Sequence, residues 1–280
     1  MTSSDRTRQT GVTLAEIFCV LGTLVGVGVI GTRVEESSGG SLSADATLLA
    51  PAGPAFSIWS VIYVGLAAYT VWQWLPGAGR SELARRTGWL VAASMVLNAA
   101  WLLVTQQGWI WVSVLVILAL LGVLARLALD LACTPDDAAD PVGTWIVRLT
   151  VGLYLGWVAV ATFANVAAAL ASSGFRFTEG PAAVAVALVA LVVVVALVVA
   201  LLRLVPTRLG VAAAVVWGLS WLAWGRVGDE PRSTVVGAAA LVAALAVAAG
   251  AVVLTVRGLR ESRSAGSRDA EPVQSDSAIH

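Results

Sequence analysis

Three stretches of this chain carry aromatic rings and amides at helical spacing, and the chemistry they offer is recognition rather than catalysis. From Pro51 to Trp74, PAGPAFSIWSVIYVGLAAYTVWQW, steps of three and four residues put Phe56, Trp59, Tyr63, Ala67, Thr70 and Trp74 on one helical face, with Tyr69 and Trp72 facing away. Further on, Ser94, Asn98, Trp101 and Thr105 share a face, and so do Tyr154, Trp157, Ala161 and Asn165. Flat aromatic surfaces, indole N–H donors and a few amides suit a planar, mostly apolar ligand. Each amide equally fits a hydrogen bond between helices, a common use of Asn inside a membrane. Trp59, Trp101 and Trp157 fall in the middle of apolar runs, where an interfacial aromatic belt does not account for them. Trp89, Trp109, Trp111, Trp145 and Trp224 fall near the ends of such runs and read as that belt.

The elements that must hold these faces are membrane spans. Of 280 residues, 59% are hydrophobic and 12% charged, and the mean hydropathy of +0.88 is far above that of a soluble domain. Apolar runs recur near 12–32, 56–76, 88–105, 109–132, 143–171, 181–204, 209–226 and 235–256. A hydrocarbon core about 30 Å thick takes about 20 helical residues to cross. Backbone groups in lipid must pair within their own segment, and the alternation of a β-barrel is missing, so helices are the fitting element. The expected fold class is all-α, a polytopic helical membrane protein of eight spans.

Composition removes many chemistries. All seventeen basic residues are Arg, the net charge is zero, and the one His is His280. Without Lys there is no Schiff base and no P-loop lysine; without an internal His there is no His-assisted nucleophile, histidine metal cluster or proximal haem ligand. Cys19 and Cys133 are isolated and read as small packing residues. Intramembrane charge is sparse, which argues against coupling through acid chains. Glu16 reads as close to the start of the first span, and Arg126 with Asp130 as an i, i+4 pair at the end of the fourth. We therefore expect no enzyme, no metal and no resident cofactor. Nucleic acid is not an expected partner.

With the N-terminus in the cytoplasm, thirteen arginines fall in inside segments, and four, Arg33, Arg176, Arg226 and Arg232, fall outside. That bias predicts both termini in the cytoplasm of a multi-pass plasma-membrane protein. Arg in place of Lys, with abundant Ala, Gly and Val, points by association to a bacterial genome. The first apolar run is too long for a typical signal peptide and reads as an anchor. The expected organisation is a cytoplasmic segment at 1–11, a five-helix bundle at 12–178 with an outside loop at 33–55, three further helices at 179–258, and a disordered cytoplasmic tail at 259–280. The loop carries Glu35, Glu36 and Asp45, turns apolar at Leu48, and either roofs the bundle or is a solvated connector. Nine of twelve tryptophans precede residue 178, so the chemistry belongs to the first five spans. Gly22 with Gly26, and Gly152 with Gly156, are small-residue pairs that permit close helix approach.

Over roughly residues 12–171 the chain resembles the TspO/MBR family, the tryptophan-rich sensory proteins that include the mitochondrial translocator protein. PAGPAFSIWSVIY is similar to the opening of the family's second helix, LNAAW at Leu97–Trp101 to its third, and GWVAVATFANV at Gly156–Val166 to its fifth. The resemblance implies a five-helix bundle with a pocket for porphyrins, sterol-like lipids or synthetic aromatic ligands, covered by the first loop. By motif it implies Trp59, Asn98, Trp157 and Ala161 as pocket residues, with Phe56 and Tyr63 adjacent; membrane lipid and a second copy of the chain are implied partners. The chain departs from the family where SADATLLAPAG replaces a Trp- and Pro-rich first loop, and where AALASSGFR lacks the Tyr of the cholesterol-associated pattern.

The expected function is a receptor or sensor that binds a hydrophobic planar ligand, tetrapyrrole-like or lipid, through Phe56, Trp59, Tyr63, Asn98, Trp101, Tyr154, Trp157, Ala161 and Asn165. A small-molecule or porphyrin carrier is the alternative. A carrier built from two repeats would show matching halves, and the Trp and Asn content here is confined to the first five spans.

Overall fold

The computed structural model of the protein describes residues 2–26, 28–34, 36–134, 140–175 and 180–269. Among them are eight helices long and apolar enough to cross a membrane, and no strand. These are α1 (Ser3–Gly26), α2 (Ile58–Trp72, entered through a 3-10 turn at Gly53–Ser57), α3 (Glu82–Gln106), α4 (Ile110–Ala132), α5 (Pro141–Ser172), α6 (Gly180–Leu204), α7 (Arg208–Gly228) and α8 (Thr234–Asp269). The chain is an all-α polytopic membrane protein, as its apolar periodicity predicts.

Local chemistry sets the starts. Ser81 caps α3 by accepting from Ala84 N, and α5 opens on Pro141 with Asp140 accepting from Gly143 N at 2.8 Å. Asp140 also accepts from Trp72 Nε1 at 2.6 Å, which ties the end of α2 to the start of α5. Several boundaries differ from expectation, among them the end of α1 at Gly26 rather than near 32 and the start of α3 at Glu82 rather than near 88. Helix α1 begins at Ser3 rather than near residue 12, because its first turns are anchored to the bundle. Asp5 accepts from Arg85 at 3.0 Å, Arg8 donates to Gly79 O, and Gln9 donates to Gln73 O at 2.6 Å. This places Glu16 in the body of α1 rather than near its start, with Oε2 buried and unpartnered. At the other terminus α8 continues to Asp269, past the boundary at 258 where a disordered tail was expected. Residues 270–280, like Glu35 and Arg176, lie outside the described residues.

Small residues decide which helices meet. Helix α1 runs alongside α3 in the same direction, Gly22 against Ala99 and Gly26 against Leu102. Helix α5 is central, touching α2, α4 and α7. It crosses α7 with almost no intervening side chain, Gly152 facing Thr207 O and Gly210, and Gly156 facing Val211 O and Ala214. Both glycine pairs thus serve packing within the subunit. Helices α6, α7 and α8 pack on one another and join the first five chiefly through α7, with α6 also touching α5.

The outer surface is apolar, as lipid requires. Trp89, Trp109, Trp111, Trp145 and Trp224 are all exposed, and Arg126 pairs with Asp130 at 2.9 Å. Cys19 is buried, whereas Cys133 is exposed rather than packed. Tyr69 and Trp72, which turn away from the aromatic face of α2, are buried in the bundle. Tyr69 bonds Thr87 Oγ1 at 2.8 Å.

Candidate functional site

A cavity of about 350 Å³ lies between α1, α2, α3 and the loop that follows α1. Its walls are Thr23 and Gly26 of α1, Phe56, Trp59, Ser60 and Tyr63 of the α2 segment, Trp101 and Leu102 of α3, and Arg33 and Val34 of the loop. That volume falls at the lower end of the ~300–1,000 Å³ usual for small-molecule pockets. Val34, Phe56 and Trp101 also border a second, narrow slot of about 40 Å³ that reaches Trp157, Ala161 and Asn165 of α5 under residues 41–51. The slot alone has room for water-sized guests only.

Trp59 is the hub of the aromatic cluster. It stacks on Tyr63 at 5.4 Å and meets Tyr154 and Trp157 edge-on at 5.8 and 6.3 Å, while Phe56 meets Trp157 edge-on at 5.8 Å. Such ring pairs each contribute about 0.5–1.5 kcal/mol beyond the area they bury, so the wall is stiff before anything binds. Of the nine residues singled out by spacing, Phe56, Trp59, Tyr63 and Trp101 line the larger cavity, and Trp157, Ala161 and Asn165 line the slot with Phe56 and Trp101. Asn98 and Tyr154 line neither. Asn98 is fully buried and donates to Tyr63 OH at 3.0 Å, orienting the phenol from behind. Tyr154 donates to Ser94 O at 3.1 Å and buttresses Trp59.

The two amides have different jobs. Asn165 Oδ1 accepts from Trp101 Nε1 at 2.8 Å, and its Nδ2 donates to Ser113 Oγ at 3.0 Å, so its polar atoms are consumed between helices. Asn98 Oδ1 and Trp157 Nε1, by contrast, are buried and unpartnered. Asn165→Leu is expected to destabilise the protein by about 1 kcal/mol, within the range of interhelical hydrogen bonds in membranes, and to free the Trp101 ring. Unfolding in mixed micelles measures the first effect and Trp101 emission the second.

The loop after α1 roofs both spaces, and it is held from two sides. On the α3 side Ser38 Oγ donates to Thr105 O at 2.8 Å, and Thr32 bonds Gln106. On the other side α7 supplies four hydrogen bonds. Trp217 Nε1 donates to Ala55 O at 2.9 Å, and Trp221 O accepts from Ala52 N at 3.3 Å. Arg226 donates to Ala44 O at 2.8 Å and Thr47 O at 3.1 Å, and a further 2.9 Å bond to Pro231 O ties it to the turn before α8. Arg226 is fully buried, although its place at the end of a span reads as an outside-loop cation. Its two partners in the roof are carbonyls more than 170 residues earlier in the chain, so no local signal could have tied it to the loop. Spacing likewise does not mark Thr23, Gly26, Arg33, Val34, Ser60 and Leu102 as pocket residues. Thr23, Gly26, Ser60 and Leu102 lie on predicted spans.

These features define a class: a polytopic helical membrane protein that encloses an aromatic, loop-roofed cavity, with no metal-binding cluster among the described residues. A family model described as TSPO-like protein matches residues 13–253, and the chain belongs to that family. The match runs from α1 into α8 and so takes in the last three helices as well as the first five. No curated protein and no solved structure matches the chain. Membership supports binding or sensing at a membrane in general terms, in a family that is generally non-enzymatic.

Proposed function

We propose that the protein is a membrane receptor or sensor that binds a planar hydrophobic ligand, porphyrin-like or lipid, in the cavity between α1, α2 and α3. The observation that carries this reading is the wall of Phe56, Trp59, Tyr63 and Trp101 around a space of about 350 Å³. Stacking on Trp59 and burial against Phe56 and Trp101 supply affinity, and Ser60, Thr23 and Tyr63 supply hydroxyls that fix orientation. On this reading the chain sits in a bacterial plasma membrane with both termini in the cytoplasm, and bilayer lipid and a hydrophobic small molecule are its partners. The first five helices form the binding unit and the last three support it. Arg33 is the one charged group among the described lining residues, and on this reading the bound molecule is recognised rather than transformed.

The test is titration of the purified full chain with protoporphyrin IX while tryptophan fluorescence is followed. Trp59→Phe is expected to weaken binding roughly three- to tenfold, the worth of one lost ring contact. Asn98→Ala weakens it by releasing Tyr63, and Trp157→Phe by loosening the hub. Unchanged affinity in all three variants would defeat the assignment of the cavity. Uptake into proteoliposomes driven by an ion gradient would make the protein a carrier instead.

A further inference from the structure

The larger cavity is polar in one direction, and the cause is a single cation. Arg33 is the one charged residue among its lining residues, and among the described residues nothing hydrogen-bonds or pairs with its guanidinium. Its position is built by the chain reversal after α1. Val29 N and Val34 N donate back to Leu24 O and Gly26 O at 3.0 Å each. Gly28 adopts φ +77°, and a Cβ there would lie 2.8 Å from Arg33 Cγ, so the turn holds the arginine stem close. The side chain is exposed and stands at the loop end of the bundle, where the membrane meets water. The other polar groups of the lining are the neutral hydroxyls of Thr23, Ser60 and Tyr63. Behind that lining Asn98 donates to Tyr63 OH, and Asn98 Oδ1 and Glu16 Oε2, outside the lining, are buried and unpartnered.

We propose that Arg33 is the anion-recognising residue of this cavity, and that its ligand is an amphiphilic acid, with a carboxylate or phosphate at the Arg33 mouth and its apolar body against Phe56, Trp59 and Trp101. This rests on the ligand-binding reading above. A guanidinium presents a planar fork of donors that matches a carboxylate or phosphate in two parallel bonds. An anion in the depth of the cavity would meet neutral hydroxyls and no compensating cation, so the acidic edge of the ligand points outward to Arg33. The same chemistry could come from a planar acid in the cavity or from the headgroup of an anionic lipid leaning into its mouth.

The experiment compares protoporphyrin IX with its dimethyl ester on the full chain in phosphatidylcholine nanodiscs, using wild type, Arg33→Gln and Arg33→Lys. Arg33 is exposed, so both variants are expected to fold. The free acid is expected to bind wild type about tenfold more tightly than the ester, the modest worth of an ion pair at a wet boundary. That preference disappears in Arg33→Gln and is partly kept in Arg33→Lys. An acid preference in Arg33→Gln equal to that of wild type overturns the proposal. Binding of neither probe to any form overturns the ligand-binding reading itself. Repeating the titration in discs with phosphatidylglycerol separates the sources. Weakened acid binding to wild type but not to Arg33→Gln assigns the mouth to a lipid headgroup, and unchanged binding assigns it to the acid in the cavity.

Discussion

Gly152→Leu is expected to prevent α7 from docking on α5 and to abolish recovery of folded protein. The reason is what a side chain there would strike. A Cβ on Gly152 would lie 2.5 Å from Thr207 O, 3.0 Å from Gly210 Cα and 3.1 Å from Val211 N. All three are backbone atoms, so no rotamer change relieves the clash, and the helices must separate. Overpacking in a core that can adjust costs about 1–3 kcal/mol, and a core that cannot adjust loses the crossing. Since α7 also carries the four hydrogen bonds to the roof, the damage spreads to the cavity. Gly152→Ala should show a graded version of the same defect. Gly122→Ala on α4 is the control, because a Cβ there meets nothing within 4 Å. Helix propensity predicts that it is neutral or up to ~1 kcal/mol more stable. Monodispersity on size exclusion and thermal unfolding in detergent are the measurements, and a Gly152→Leu variant as stable as wild type would sink the argument.

Arg226→Met has the second largest expected effect, and its readout is the mobility of the roof. Methionine nearly fills the space but donates nothing, so Ala44 O, Thr47 O and Pro231 O all lose the partner described above. Hydrogen bonds from a charged donor contribute about 1.5–3 kcal/mol each and are not additive. An overall loss of about 3 kcal/mol is therefore expected. Thr47 is 1% exposed, so a Thr47→Cys probe in a Cys133→Ala background should react slowly with a maleimide in the presence of Arg226. In the presence of Arg226→Met it should react at least tenfold faster. Arg226→Lys should fall between, since an ammonium keeps the charge but cannot fork to Ala44 and Thr47 together. Equal labelling rates in all three forms would show that the roof is held without Arg226, by the Trp217 and Trp221 contacts and those to α3. The last three helices line neither the cavity nor the slot. Through α7 they fix the surface that closes both.

The sequence by itself determined eight spans, their approximate ends, and the faces of α2, α3 and α5 that carry rings and amides. It also marked the two glycine pairs and the five interfacial tryptophans. These properties are local: apolarity over about 20 residues decides whether a segment enters the bilayer, and the 3.6-residue repeat decides what shares a face. Tertiary structure decided which polar groups are spent between helices. Asn98 and Asn165 look alike in sequence, each near an indole on its own helix. Yet Asn165 is satisfied by Trp101 and Ser113, while Asn98 orients Tyr63 and keeps one atom free. Trp157 shares a face with Trp59 only by virtue of how α2 leans on α5, and it lies behind the wall of the larger cavity rather than in it. Arg226 moved from a presumed loop to the interior because carbonyls from the first loop return to meet it. Spacing reports what a side chain can offer, but its partners come from other helices, and inside a membrane the partners decide whether a polar atom holds the fold or waits for a ligand.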